Sequence, residues 1–124
     1  MSTIVALLHN KMSGFYWTGF YYLDENNDLV VGPYQGPLAC LKLKANTGVC
    51  WAGINEGCSQ VVGDVEKFPG HIACSPLSKS EIVVPVRDFS GKVVAVLDVD
   101  SREVNAFDET DREELEKMVT LIYE

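Results

Sequence analysis

The sequence is short of positive charge. Ten lysines and arginines stand against eighteen aspartates and glutamates, a net charge of −8, and the basic residues nowhere cluster. Nucleic-acid surfaces neutralise phosphates with grouped Lys and Arg, so that class of partner is excluded, and an anionic membrane surface is disfavoured on the same ground. Long apolar runs are missing too, and no stretch approaches the roughly 20 residues that cross a bilayer. Residues 1–8 are apolar but carry no basic start and no small-residue cleavage site, so they read as the beginning of a helix, not as an export signal. Among Cys40, Cys50, Cys58 and Cys74 there is no Cys-x-x-Cys pair. A structural zinc knuckle is therefore not expected, nor is any other metal or cofactor. Cysteines without a secretory signal imply a reducing compartment, the cytoplasm, where disulfides are transient and catalytic.

What is present describes a folded domain. A chain of 124 residues with 47% hydrophobic and 10% aromatic residues has the means to bury its own core. Residues 3–12 place Ile4, Leu7, Leu8 and Met12 at helical spacing, and residues 15–23 alternate as a strand does. The turn cluster 24–28 returns the chain into a second strand, 29–32, which Gly32-Pro33 should break. A third strand is expected over 38–43 with Cys40 inside it, then a short helix over 49–55 carrying Cys50, opened by Gly48 and closed near Gly57. A brief strand, 60–62, precedes a long polar loop, 63–80, that holds His71 and Cys74. Residues 81–87 and 92–99 form the strongest strand signals, joined by the hairpin turn 88–91. The last helix has Asp108 as its cap and Asp111 in the capping-box position, followed by an apolar face of Leu115, Met118, Val119 and Ile122. The sum is one α+β domain over residues 1–124, with a mostly antiparallel central sheet and the N- and C-terminal helices packed on one face.

Two residue types carry the chemistry. A reactive cysteine needs exposure and a stabilised thiolate, and Cys74, in a Gly/His/Ser loop, meets that description better than Cys58, which reads as a filler of a small buried gap. Cys40 and Cys50 are each available to close a disulfide with it. Asp98 and Asp100 alternate along one strand and point to one face. Folding the hairpin about Ser90 brings Glu81 opposite position 98 or 99, so three acids meet near one point. Such a group can hold one member protonated near neutral pH, as a hydrogen-bond donor. Trp17, Phe20, Tyr21 and Tyr22 lie on the first strand and Trp51 follows Cys50; most are expected in the core, and a Trp or Tyr lining a small pocket would suit a methyl or thioether group. Thiols beside convergent carboxylates suggest redox chemistry on a small polar molecule.

Six segments in order carry a resemblance: Trp17-Thr18-Gly19-Phe20-Tyr21, Gly32-Pro33-Tyr34-Gln35-Gly36 with Ala39-Cys40, Gly48-Val49-Cys50, Gly70-His71-Ile72-Ala73-Cys74, Ser80-Glu81-Ile82-Val83-Val84-Pro85 and Leu97-Asp98-Val99-Asp100-Ser101. Together they resemble the free methionine-(R)-sulfoxide reductases, which are built on a GAF domain. The resemblance implies that Cys74 attacks the sulfoxide, that Cys40 resolves the sulfenic acid as a disulfide, and that Cys50 is an accessory or alternative thiol. It implies that Glu81, Asp98 and Asp100 hold the substrate and protonate or hydrogen-bond the sulfoxide oxygen; within that trio Asp98 is expected at the ammonium group, the three roles being interchangeable. Trp17 and Tyr21 would pack around the methyl-sulfur end. Free methionine sulfoxide is then the substrate, thioredoxin the reductant, and a homodimer a compatible assembly. Sixteen residues precede Trp17, fewer than is usual for the family. The alternative is a GAF-type small-molecule or redox sensor without turnover, the commoner use of that fold.

Overall fold

Two long strands, β5 (Ser80–Arg87) and β6 (Val93–Ser101), form the hairpin on which the remaining elements are built. Its turn is tied by the Asp88 carboxylate, which accepts from the Ser90 amide at 2.9 Å, the Ser90 hydroxyl at 2.6 Å and the Lys92 amide at 3.1 Å. Gly91 completes it at φ 88°, a left-handed conformation that costs glycine little. A bulge between Val86 and Arg87 shifts the ladder by one residue. Glu81 therefore pairs with Asp100, one position beyond the register expected from the turn alone. The shift decides which face Glu81 takes, because opposite residues share a face and neighbours along a strand do not.

The computed structural model describes residues 2–11, 15–38, 40–68 and 77–123. Besides the hairpin it contains α1 (Ser2–Lys11), β1 (Trp17–Leu23), β2 (Leu29–Gln35), β3 (Lys42–Leu43), α2 (Gly48–Glu56), β4 (Gln60–Val62) and α3 (Glu109–Val119). Single 3₁₀ turns follow at Val65–Lys67 and Thr120–Tyr123. The six strands pair antiparallel in the order β3-β2-β1-β6-β5-β4. On one face Phe20, Ile82, Val84, Leu97 and Val99 pack against Val5 and Leu8 of α1 and Leu115 and Val119 of α3. On the other, Trp17, Tyr21, Val83 and Val96 pack against Val49, Cys50 and Trp51 of α2. This is the expected α+β domain with its terminal helices on one face. The expected capping box at α3 is present, Asp108 and Asp111 each accepting from the other's amide at 2.9 Å. Among the described residues no helix is long and apolar enough to cross a membrane.

Three local expectations are corrected. β2 runs through Pro33 to Gln35, because β3 pairs with β2 only at Leu29 and Val30, and a bulge against β1 falls between Gly19 and Tyr21. An edge or a bulge spares the amide that proline lacks. β3 is just Lys42–Leu43, so Cys40 lies in the connection ahead of it rather than within a strand. Cys58 is exposed rather than buried: the left-handed C-cap at Gly57, φ 67°, turns the chain off the end of α2, away from the core.

Candidate functional site

Strand alternation brings the acids together. Asp100 sits between Trp17 of β1 and Glu81 of β5, and Asp98 between Gly19 and Val83. Glu81 and Asp98 are 7% and 5% exposed, buried as few carboxyl groups are, while Asp100 is half-buried. Glu81 lies directly across the ladder from Asp100, and both aspartates are near enough to act on its acidity. The α2 side closes over them: the Cys50 thiol lies 4.0 Å from Glu81 Oε2. That approach depends on Gly53, one turn further along α2, where a Cβ would stand 2.8 Å from Val83 Cγ1. One oxygen, Asp98 Oδ1, is buried with no hydrogen-bond partner among the described residues. Such an orphan costs on the order of 1–3 kcal/mol or more, so Asp98 Oδ1 is the oxygen of the cluster with a hydrogen bond still to make.

Burial and mutual repulsion favour the protonated forms of these groups. Burial is the main cause at each acid. It pushes Asp98 up to about 8 with help from the Asp100 charge, and lifts Asp100 well above the carboxylate range with help from Glu81. Glu81 is raised well above its ordinary value by burial and then by Asp98. Burial also raises the Cys50 thiol, and the three acids add to it, so Cys50 is a thiol and not a thiolate nucleophile. Tyr21 moves the same way for the same reasons. The cluster can therefore donate hydrogen bonds to an oxygen from neutral carboxyls, and a cation placed beside it would favour the ionised form of one of them.

An aromatic wall connects this cluster to Cys40. Trp17 stacks between Tyr21 and Tyr34, with ring centroids 5.7 and 5.2 Å away. Its indole donates to the Pro37 carbonyl at 3.1 Å, and the Tyr21 hydroxyl donates to the Cys40 carbonyl at 3.1 Å. The same two rings that flank the acids thus strap down the segment carrying Cys40. Gly19 makes the wall possible, since a Cβ there would fall on the Trp17 ring and on Tyr34 Cβ. Gly19, Gly53 and Tyr34 were not among the expected site residues. Only Gly19 carried a signal, as a glycine in mid-strand.

The cysteines divide into two kinds. Cys40 is disulfide-bonded, whereas Cys50 and Cys58 are free. Of the expected site residues, the structure brings Trp17, Tyr21, Cys40, Cys50, Glu81, Asp98 and Asp100 into one neighbourhood on the α2 face. His71 and Cys74 lie outside the described residues. Cys50, Glu81 and Asp98 are also spaced as metal ligands, their donor atoms within 4.8 Å of one another.

A GAF domain family model matches residues 1–123. The chain is 45% identical to GAF domain-containing protein A of Dictyostelium discoideum over 98% of its own length and 76% of that protein's. It is 44% identical to the free methionine-R-sulfoxide reductase of Saccharomyces cerevisiae, over 86% of this chain and 60% of the yeast protein. Among solved structures, the free methionine-R-sulfoxide reductase from Neisseria meningitidis in complex with its substrate superposes with a TM-score of 0.92 at 43% identity, covering 98% of this chain and 72% of that one. The buried acids, the disulfide-bonded cysteine and these likenesses converge: the chain belongs to the free methionine-R-sulfoxide reductase family, built on the GAF domain.

Proposed function

We propose that this protein reduces free methionine-(R)-sulfoxide to methionine with Cys74 as the nucleophile and Cys40 as the resolving thiol. One observation carries the reading: two buried carboxyls and a half-buried third, all shifted toward their protonated forms, share an aromatic wall with a disulfide-bonded Cys40. The assignment of Cys74 rests on the likeness of Gly70-His71-Ile72-Ala73-Cys74 to the family's attacking-cysteine segment. A sulfoxide sulfur becomes electrophilic when its oxygen is protonated or strongly hydrogen-bonded, and Glu81 and Asp100 supply that proton and hydrogen bond. The Cys74 sulfur attacks, oxygen passes to it as a sulfenic acid, and methionine leaves. Cys40 then displaces water from the sulfenic acid to form the disulfide. A dithiol of the thioredoxin type reopens it, taking the disulfide onto itself, which places the cycle in a reducing compartment such as the cytoplasm.

Asp98 meets the ammonium group of the free amino acid through its unpartnered oxygen, and Trp17 and Tyr21 line the methyl-sulfur end. Cys50, buried and protonated, acts by shaping the acid cluster rather than by attack. The test is Cys74→Ser assayed with free methionine-(R)-sulfoxide and a thioredoxin system. Loss of all turnover is expected, with Cys40→Ser completing one turnover and leaving a dimedone-reactive sulfenic acid. Activity within a few-fold of the parent in Cys74→Ser overturns the assignment. Binding of the sulfoxide by the parent with no methionine formed would make the protein a sensor instead.

A further inference from the structure

We propose that Cys50, Glu81 and Asp98 form a binding site for a thiophilic divalent cation of the Zn²⁺ class, whose occupancy excludes the substrate. Cation binding stands on geometry alone; its inhibitory consequence rests on the function proposed above. The three residues come from α2, β5 and β6, and all are buried. Their donor atoms lie within 4.8 Å of one another, and the Cys50 sulfur and Glu81 Oε2 are 4.0 Å apart. Zn–S and Zn–O bonds of roughly 2.3 and 2.0–2.2 Å span that gap with the ion between them, and a small rotation of a carboxyl group closes the widest one.

A second observation points to a ligand here. Asp98 Oδ1 is buried without a hydrogen-bond partner among the described residues, so it is an oxygen open to a cation, whose binding would release the thiol and carboxyl protons to solvent. The donor set chooses the ion. One sulfur and two carboxyl oxygens favour Zn²⁺ or Cd²⁺ over Mg²⁺ or Ca²⁺, which require six or more oxygens or retain their water. Three protein ligands also leave a fourth position open on the ion. Since Asp98 cannot serve a metal and an ammonium group through the same oxygen, the two occupants are mutually exclusive.

The experiment uses Cys58→Ser with the Cys40 disulfide intact, so that Cys50 is the remaining thiol, and titrates Cd²⁺ while following cadmium–thiolate charge-transfer absorption. One equivalent should saturate the band, Zn²⁺ should displace it, Mg²⁺ should not, and methionine sulfoxide should compete. Adding Cys50→Ser should abolish the band. Should that variant fail to fold, Asp98→Asn and Glu81→Gln keep the thiol and should each weaken Cd²⁺ by at least the ~10-fold that loss of an outer-shell partner costs. No band, or a band indifferent to all three substitutions, overturns the site. An enzyme that turns over sulfoxide yet binds no Cd²⁺ leaves the reductase reading standing and sinks this one. Cd²⁺ binding to a protein that reduces no sulfoxide upholds the site and sinks the reductase reading.

Discussion

The two faces of the sheet are made by the same strands and obey opposite rules. On the α1 and α3 face, Phe20, Ile82, Val84, Leu97 and Val99 are apolar and almost wholly buried, in an ordinary hydrophobic core. On the α2 face, the intervening positions hold Trp17, Gly19, Glu81, Asp98 and Asp100. Three of those are acids in a place where acids are costly. A period of two lets one strand serve both purposes, because each residue's neighbours in sequence face the other way. The apolar face contributes the stability that the acidic face consumes. That division is common where a functional site is built into a sheet.

The sharpest way to break the comparison is to damage each face and ask what is lost. Phe20→Ala, at a position with no exposure opposite Leu97, should destabilise the fold by about 3–5 kcal/mol in denaturant unfolding. It should leave the rate per folded molecule nearly unchanged. Glu81→Gln and Asp100→Asn should do the reverse, slowing the chemical step by ~10²-fold with the fold intact, measured as single-turnover methionine formation. A Phe20→Ala protein that is stable but slow, or a Glu81→Gln protein that unfolds but is fast, would show that the faces are not separable in this way.

Much of this division was legible in the residues themselves. Asp98 and Asp100 announce their common face by alternation, the turn residues 88–91 bring Glu81 to them, and Asp108 with Asp111 marks the start of α3. The register was not legible to one residue, because nothing in the chain marks the bulge at Val86 and Arg87, and that bulge sets Glu81 on the acidic face. Nor was the shortness of β3, which follows from pairing with β2 at only two positions. Cys58 misled because a cysteine between glycine and serine resembles a core filler. Its exposure comes from the left-handed turn at Gly57, and backbone conformation outweighs side-chain preference there. Gly53 hides for a different reason: its role is a close approach between α2 and Val83, which exists only in three dimensions.

Asp98→Asn tests the acidic face more gently, in two readouts. Substrate affinity should fall by about tenfold, the size of one charge-assisted hydrogen bond. Stability should also change its dependence on pH. Asp98 is raised from 3.8 to about 8 in the fold, so the folded state favours its protonated form. Its contribution is fully present below the unfolded value and is lost as pH rises through about 8. Glu81 and Asp100 are raised as well and act in the same direction. The parent should therefore melt at progressively lower temperature as pH rises from acid to mildly alkaline. Asp98→Asn should flatten that decline and be the more stable protein at the alkaline end. Melting curves of the two proteins that fall in parallel would mean that Asp98 titrates alike in the folded and unfolded states.

The smallest effect expected is at the join between the acid cluster and the thiol chemistry. Tyr21 lies on the acidic face, yet its hydroxyl is committed to the Cys40 carbonyl at 3.1 Å. Tyr21→Phe keeps the ring, and with it the stack on Trp17, and removes only that hydrogen bond. One neutral hydrogen bond is worth about 1 kcal/mol net, or roughly a fivefold change in a rate that depends on it. If the bond holds Cys40 in position to resolve the sulfenic acid, disulfide formation should slow by about that factor. Methionine release in the first turnover should not change, because the oxygen-transfer step proposed above does not use Cys40. Trp17 provides the control: its indole holds the Pro37 carbonyl in the same segment, so Trp17→Phe should slow the same step while also altering the stack with Tyr34. A Tyr21→Phe protein that slows both steps equally would place the hydroxyl in service of the substrate. One that slows neither would reduce Tyr21 to a wall of the pocket.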